Sequence, residues 1–327
     1  MITAVWKSST GWAAPELRPY GNLSLAPTAS VLHYATECFE GMKMYRGFDG
    51  KLRLFRPDCN ARRMLISATR IALPAFDPKE LEKLIMALVA VDGEKWLPKS
   101  RAGSCIYLRP TMIGSAPALG VSTPKEATLF VIATFMPPLD QPTGLKLLAS
   151  QNGVRAWPGG FGFAKVGANY GPSLLATGEA RAQGYDQVLW LLDGMVTEAG
   201  ASNFFVIWRT REGKLQLVTA PLGDKIILDG VTRRSILQLA RERLNKAVGD
   251  LAPIEVVERQ FTMDDFVEAV NEGRMMEAFA AGTAYFVCGV STISYCDRDL
   301  QIPITRRDMG EYTALIKGVS YSNSPNS

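Results

Sequence analysis

Histidine is nearly absent from this chain of 327 residues, which has only His33. A Ser-His-Asp triad, a Cys-His pair or a multi-histidine metal site would each have to use that one residue. The common hydrolase and metalloenzyme readings are therefore poor, and His33 is expected to pack or to hydrogen-bond. Cysteine is sparse as well: Cys38, Cys59, Cys105, Cys288 and Cys296 are odd in number, scattered and without a CxxC pair. That argues against a disulfide framework or a zinc site and fits a reduced, cytoplasmic protein. No apolar run reaches membrane-spanning length, and Met1-Ile2-Thr3-Ala4-Val5-Trp6 lacks a basic region followed by an apolar stretch. Neither a membrane partner nor a secretory signal is expected, while an organellar form stays open. Charge of one sign is also lacking. The 36 basic and 32 acidic residues give a net +4, spread along the chain without a basic block. No nucleic-acid partner is expected, and the slight positive bias suits anionic small molecules.

What is present is a large apolar content, 47% of the chain, enough for a sizeable core and for two domains rather than one. Residues 1 to 60 read as short strands and turns, with Asn22–Leu25, Ala29–His33 and Leu52–Phe55 as strand candidates. Asn60 can cap a helix from about Ala61 to Ile71, ended by Pro74. Asp77-Pro78-Lys79-Glu80 is a second helix start, with Asp77 as cap and Glu80 able to bond back to it. Leu81, Leu84, Ile85, Leu88 and Val89 follow as one apolar stripe at helical spacing. Ile106–Pro110 and Leu129–Ala133 read as buried strands. Pro137–Gly144 breaks any regular element, so a small domain over 1–136, a linker over 137–147 and a large domain over 148–327 are expected. The second half alternates strands and helices. Val188–Leu192, Phe204–Trp208 and Ile254–Glu258 read as strands, Gly230–Arg234 opens a helix, and Thr262–Asp265 has a capping-box pattern. The tail, Ser320–Ser327, is polar and expected to fray.

One stretch carries chemistry. In Gly159-Gly160-Phe161-Gly162-Phe163-Ala164-Lys165-Val166-Gly167-Ala168-Asn169-Tyr170-Gly171 a single lysine sits among small and apolar residues. Burial would favour its neutral, nucleophilic amine, as Schiff-base chemistry requires, and the glycines would admit a cofactor close to the backbone. A flexible loop with an exposed lysine explains the same residues equally well. Other pieces are compatible with a cofactor. Glu198, in a turn of small residues between apolar strands, could face a heteroaromatic nitrogen and make the ring an electron sink. Val231-Thr232 at a helix start and Gly282-Thr283-Ala284 in a turn offer donors for a phosphate, to which Arg63 could add charge.

Taken in order, the strings resemble the branched-chain amino acid aminotransferases, fold-type-IV pyridoxal-phosphate enzymes. They are His33-Tyr34-Ala35-Thr36-Glu37-Cys38-Phe39-Glu40-Gly41-Met42-Lys43, Phe55-Arg56-Pro57, Tyr107-Leu108-Arg109-Pro110, Val154-Arg155-Ala156-Trp157, Lys165 to Gly171, Thr197-Glu198, Asp229 to Arg234, and Gly282-Thr283-Ala284. They span nearly the whole chain. The resemblance implies an α/β protein, a small α+β domain and a larger α/β domain with the active site between them, and transamination of branched-chain L-amino acids with 2-oxoglutarate. A fold-type-IV aminotransferase of altered range, or an aminodeoxychorismate-type lyase, is the alternative. It implies pyridoxal 5'-phosphate as cofactor. Lys165 would carry it and shuttle the proton, Tyr170 would meet its phenolic oxygen and Glu198 its ring nitrogen, with Arg63, Val231, Thr232 and Thr283 holding its phosphate. Tyr34 and Ala284 would take the substrate carboxylate. Phe39, Tyr107 and Arg109 would line the substrate side. Val121 would be lent by the second subunit of a homodimer. The chain departs from the animal enzymes at Ala199, Ala201 and Tyr285, the last leaving Cys288 without a CxxC partner. These departures bear on the substrate side chain, not on the cofactor chemistry.

Overall fold

The structure, a computed structural model, describes residues 1–135 and 143–321. Most of the expected linker, and the end of the expected tail, fall outside the described residues. The chain divides into two units. The first holds residues 1–135 with Ala164–Gly171, and the second holds residues 143–163 and 172–321.

The first unit is built on strands β1 (Ile2–Lys7), β2 (Gly11–Trp12), β3 (Glu16–Leu17), β4 (Glu37–Phe39), β5 (Met42–Arg46), β6 (Leu52–Leu54), β7 (Cys105–Gly114) and β8 (Glu126–Thr134). They form one sheet in the order β2-β1-β8-β7-β5-β6, with β3 beside β1 and β4 beside β7, every pair antiparallel. Its helices are α1 (Val31–Tyr34), α2 (Pro57–Arg70) and α3 (Pro78–Trp96).

Local chemistry explains where expectation and structure part. The Ala29–His33 candidate strand is instead the short helix α1, where His33 and Tyr34 N–H groups both donate to Ser30 O. Asn22–Leu25 forms no regular element. Helix α2 starts at Pro57, not after Asn60, because a proline fits the first turn and Arg56 before it is left-handed at φ 47°. Asn60 lies one turn inside, buried, and its side chain donates to Glu40 and Gly41. Asp77 caps α3 through Lys79 N at 2.9 Å, while Glu80 pairs with Lys83. Leu81, Ile85, Leu88 and Val89 are buried as the stripe requires.

The second unit contains β9 (Leu145–Ala149), β10 (Gln187–Leu192), β11 (Met195–Ala199), β12 (Ser202–Arg209), β13 (Leu215–Thr219), β14 (Glu255–Glu258), β15 (Met275–Gly282), β16 (Phe286–Tyr295) and β17 (Arg298–Gln301). The order β11-β10-β9-β16-β15-β12 closes on itself through a β11–β12 pairing, so six strands form a ring. Strands β13 and β14 extend from β12, and β17 pairs with β16. Helices α4 (Ser173–Ala182), α5 (Val231–Arg243), α6 (Met263–Asn271) and α7 (Glu311–Tyr321) complete it. Strand β12 shows why its sequence is an unbroken apolar run: Phe204, Val206 and Trp208 enter one core, Phe205 and Ile207 the other. Thr262 and Asp265 form the expected capping box on α6. No helix among the described residues is long and apolar enough to cross a membrane.

Candidate active site

In the first unit the segment around Lys165 is held through its backbone. Lys165 O accepts from Phe39 N at 3.1 Å, and Lys165 N donates to Ser67 Oγ on α2 at 2.8 Å. Cys38 and Val166 pair as an isolated bridge, which lays the segment alongside β4. A short 3-10 turn, Gly167–Asn169, then folds the chain back, and Asn169 Nδ2 donates to Ala164 O at 2.9 Å. The turn brings Tyr170 onto Lys165, whose Nζ donates to the Tyr170 hydroxyl at 2.8 Å. Lys165 is half-buried, less enclosed than the sequence suggests.

Aromatic rings surround this amine. Nζ lies 4.8 Å from the Phe39 ring centroid and 5.2 Å from that of Tyr170. The Phe39 and Tyr170 rings are themselves 5.0 Å apart. Arg109 stacks on the same Phe39 ring at 4.7 Å and over Tyr107 at 5.1 Å, with Nη2 donating to the Tyr107 hydroxyl at 3.1 Å. Its Nε is buried without a hydrogen-bond partner. Tyr107 reaches this position because residue 41 is glycine: a Cβ there would overlap the phenol. Phe39 thus joins Lys165, Tyr170, Tyr107 and Arg109 in one group.

Arg63 belongs to a second cluster on α2. Glu40 grips it through two hydrogen bonds, Nε to Oε1 at 2.7 Å and Nη2 to Oε2 at 2.8 Å, with both side chains buried. Asn60 Nδ2 and Gly41 N also donate to Glu40 Oε2. Ser67, one turn beyond Arg63, donates to Arg63 O while accepting from Lys165 N. Tyr34, 38% exposed, accepts from Gly120 N at 2.9 Å, and next to Gly120 stands Val121, 93% exposed.

In the second unit Glu198 lies within strand β11, not in the turn expected from its small neighbours, and is 2% exposed. Its Oε2 lies 2.6 Å from Arg155 Nη1, and its Oε1 accepts from Asn203 Nδ2 at 3.0 Å and Leu228 N at 3.2 Å. Neighbouring strands align Trp190, Glu198, Asn203, Ala281 and Val287 in register, so Glu198 sits at the same end of the ring as the Thr283–Ala284 turn. Asn203 Nδ2 also donates to Leu228 O, just ahead of α5. Val231 and Thr232 are buried in the first turn of α5, which has no side-chain cap.

A family model for amino-transferase class IV matches residues 37–293. The chain belongs to this family. All the residues singled out above except Tyr34 lie inside the matched span. Among class IV amino-transferases, the chain is 45% identical over 307 residues to the branched-chain-amino-acid aminotransferase of Dictyostelium discoideum, covering 93% of this chain and 78% of that protein. It is 47% identical over 308 residues to the cytosolic mouse enzyme of that name, covering 93% and 77%. A solved bacterial branched-chain amino acid aminotransferase, from Escherichia coli, matches at a TM-score of 0.73 and 23% identity, over 98% of this chain and 94% of that one. A Thermoproteus uzoniensis branched-chain aminotransferase matches at 0.73 and 24% identity, over 99% and 97%. Both of these speak to the fold alone. A further solved branched-chain amino acid aminotransferase, bound to pyridoxamine 5'-phosphate, matches at 0.69 and 27% identity, over 97% and 92%. The chain is therefore an enzyme of a transaminase family with a two-unit α/β fold.

Four residues of these clusters escaped the sequence reading of roles: Glu40 and Ser67 in the first unit, Arg155 and Asn203 in the second. Arg155 did carry a signal, since it is the one charge in Val154-Arg155-Ala156-Trp157, and Glu40 carried a weaker one between Phe39 and Gly41. Ser67 and Asn203 carried none, because ordinary helix and strand positions hold both residue types.

Proposed function

We propose that the chain catalyses transamination of leucine, isoleucine and valine with 2-oxoglutarate, using pyridoxal 5'-phosphate and acting as a homodimer. The observation that carries this is the Lys165 amine, pinned by its backbone to α2 and β4 and hydrogen-bonded to the Tyr170 phenol. The names of the curated relatives support the substrate, and the pyridoxamine 5'-phosphate bound to the solved relative supports the cofactor.

The residues present fit the cofactor by their chemistry. They supply an amine beside a phenol, a buried carboxylate hydrogen-bonded by Asn203 Nδ2 and Leu228 N, and a 13-residue helix whose first-turn N–H groups meet no side-chain cap. When bound, the ring supplies an electron sink for the bond broken at the substrate Cα. Lys165 would carry the cofactor and, once released, take the α-proton at Nζ. Tyr170 would orient that amine and the phenolic oxygen. Glu198 would receive the ring nitrogen. The phosphate would fall to Arg63, Val231, Thr232 and Thr283, with Tyr34 and Ala284 taking the substrate carboxylate. Phe39 and Tyr107 would wall an aliphatic side chain, and the Arg109 guanidinium would take the second carboxylate of 2-oxoglutarate. Val121 would reach the site of a second copy.

Borohydride reduction of the holoenzyme followed by peptide mapping tests this reading. The label is expected on Lys165. Label on another lysine, or on none, would overturn it.

A further inference from the structure

Arg155 has no part in the function set out above, yet it is the cation of the second unit's buried carboxylate. Its side chain is 6% exposed and that of Glu198 is 3% exposed, with Nη1 and Oε2 at 2.6 Å. Glu198 Oε1 also accepts from Asn203 Nδ2 and Leu228 N, both neutral. A carboxylate this deeply buried tends to take up a proton unless an opposite charge stands beside it. Arg155 is the one charge that these contacts supply.

The same guanidinium reaches the loop ahead of Lys165, with Nη1 3.5 Å from Gly162 O. That loop is closely seated, because a Cβ on Gly162 would overlap the Ile226 carbonyl and the Ala156 side chain. Arg155 therefore stands between Glu198 and the Gly162 backbone.

The consequence lies in where one proton resides. A carboxyl group facing a pyridine-type nitrogen shares a single proton with it. If the carboxyl is neutral, it donates to an unprotonated ring. If it is held as an anion, it can only accept, and the ring nitrogen must carry the proton. Only the protonated ring withdraws electrons strongly. We infer that Arg155 is a positioning residue that holds Glu198 as an anion, so that the shared proton stays on the cofactor's ring nitrogen. This rests on the assignment of Glu198 to that nitrogen.

The experiment uses holoenzyme loaded with cofactor labelled with nitrogen-15 in the ring, and reads the ring-nitrogen chemical shift at neutral pH. The wild type is expected to show a protonated nitrogen and Arg155→Gln an unprotonated one. Arg155→Lys, which keeps the charge, should retain the proton. The half-reaction with leucine should slow by about 10²-fold in Arg155→Gln, the scale seen when one electrostatic stabiliser is lost, and by much less in Arg155→Lys. A protonated ring in Arg155→Gln, or an unprotonated one in the wild type or in Arg155→Lys, overturns the inference. The Lys variant decides this even if the Gln variant does not fold. Glu198→Gln separates the two levels: it is expected to leave the ring unprotonated. A ring still protonated in that variant removes Glu198 from the nitrogen, and the inference falls with the site.

Discussion

Cys38 stands on β4 against the Lys165 segment, and its environment makes a residue-level prediction. Burial, and then the charges of Glu40 and Glu37, push its thiol far above the ordinary range. The reactive species of a thiol is the thiolate, so Cys38 should resist alkylation in the native protein. Cys296 is exposed and should react first, with Cys59 and Cys105, half-buried, following. Mass mapping after brief iodoacetamide treatment at mildly alkaline pH checks the order. Early labelling of Cys38 would show that β4 separates from Val166 in solution. Glu198 gives the second residue-level prediction. Glu198→Gln is expected to retain cofactor while the amino-acid half-reaction slows by about 10²-fold or more. An amide can still hydrogen-bond to Leu228 N, but it brings no negative charge to the ring nitrogen. A near-normal half-reaction in stopped-flow absorbance would reduce Glu198 to a partner of Arg155.

Elements differ in how far they could be read from the chain. Asp77 and Thr262 capped the helices they announce, because a cap is a local hydrogen bond between residues two or three apart. Asn60 misled for the opposite reason. Its side chain is spent on Glu40, twenty positions back, a contact no local rule contains. The site followed the same division: Lys165 and Tyr170, five residues apart, stand out in sequence, whereas the Arg155–Glu198 pair needs the ring to bring it together. Helix α7 supplies the prediction at this scale. Glu277 on β15 accepts from Tyr312 N and Thr313 N at 2.8 Å each and from Thr313 Oγ1 at 2.6 Å, fastening the start of α7 to the ring. Burial raises the Glu277 pKa above the ordinary carboxylate range, against the lowering effect of these donors. The folded protein therefore keeps this proton through an interval in which the unfolded chain has lost it. The contribution of Glu277 is complete below the ordinary range and declines as pH rises through that interval. Urea unfolding across mildly acidic pH should show this decline in the wild type and a flatter profile in Glu277→Gln. The variant should also be less stable by about 1–3 kcal/mol, because an amide NH₂ cannot accept from Thr313. A Glu277→Gln profile as steep as the wild type would remove Glu277 as its source.

At the scale of the whole molecule, apolar runs announced β10, β12 and β14 in the second unit, but not that six of its strands close a ring. Closure depends on β9 lying parallel to both β10 and β16, partners far apart in sequence, and on the β11–β12 contact. The substrate question also belongs here, since it draws on residues from many elements. On the proposed assignment Tyr107 and Phe39 would wall the substrate side chain, and aromatic walls recognise an aliphatic group by area rather than by a directed bond. A pocket of that kind separates side chains differing by one methylene by only ~1–3 kcal/mol. Leucine, isoleucine and valine should therefore all serve as donors, within about 10–200-fold of one another in kcat/KM. On the same assignment the Arg109 guanidinium, stacked on Phe39, would take the second carboxylate of the acceptor. Arg109→Met should then raise the KM for 2-oxoglutarate strongly while leaving the leucine half-reaction close to normal. The measurement is a panel of L- and D-amino donors with 2-oxoglutarate, following glutamate formation. Preference for a D-amino acid, or release of pyruvate without glutamate, would overturn the branched-chain reading and leave the assignment of Lys165 intact.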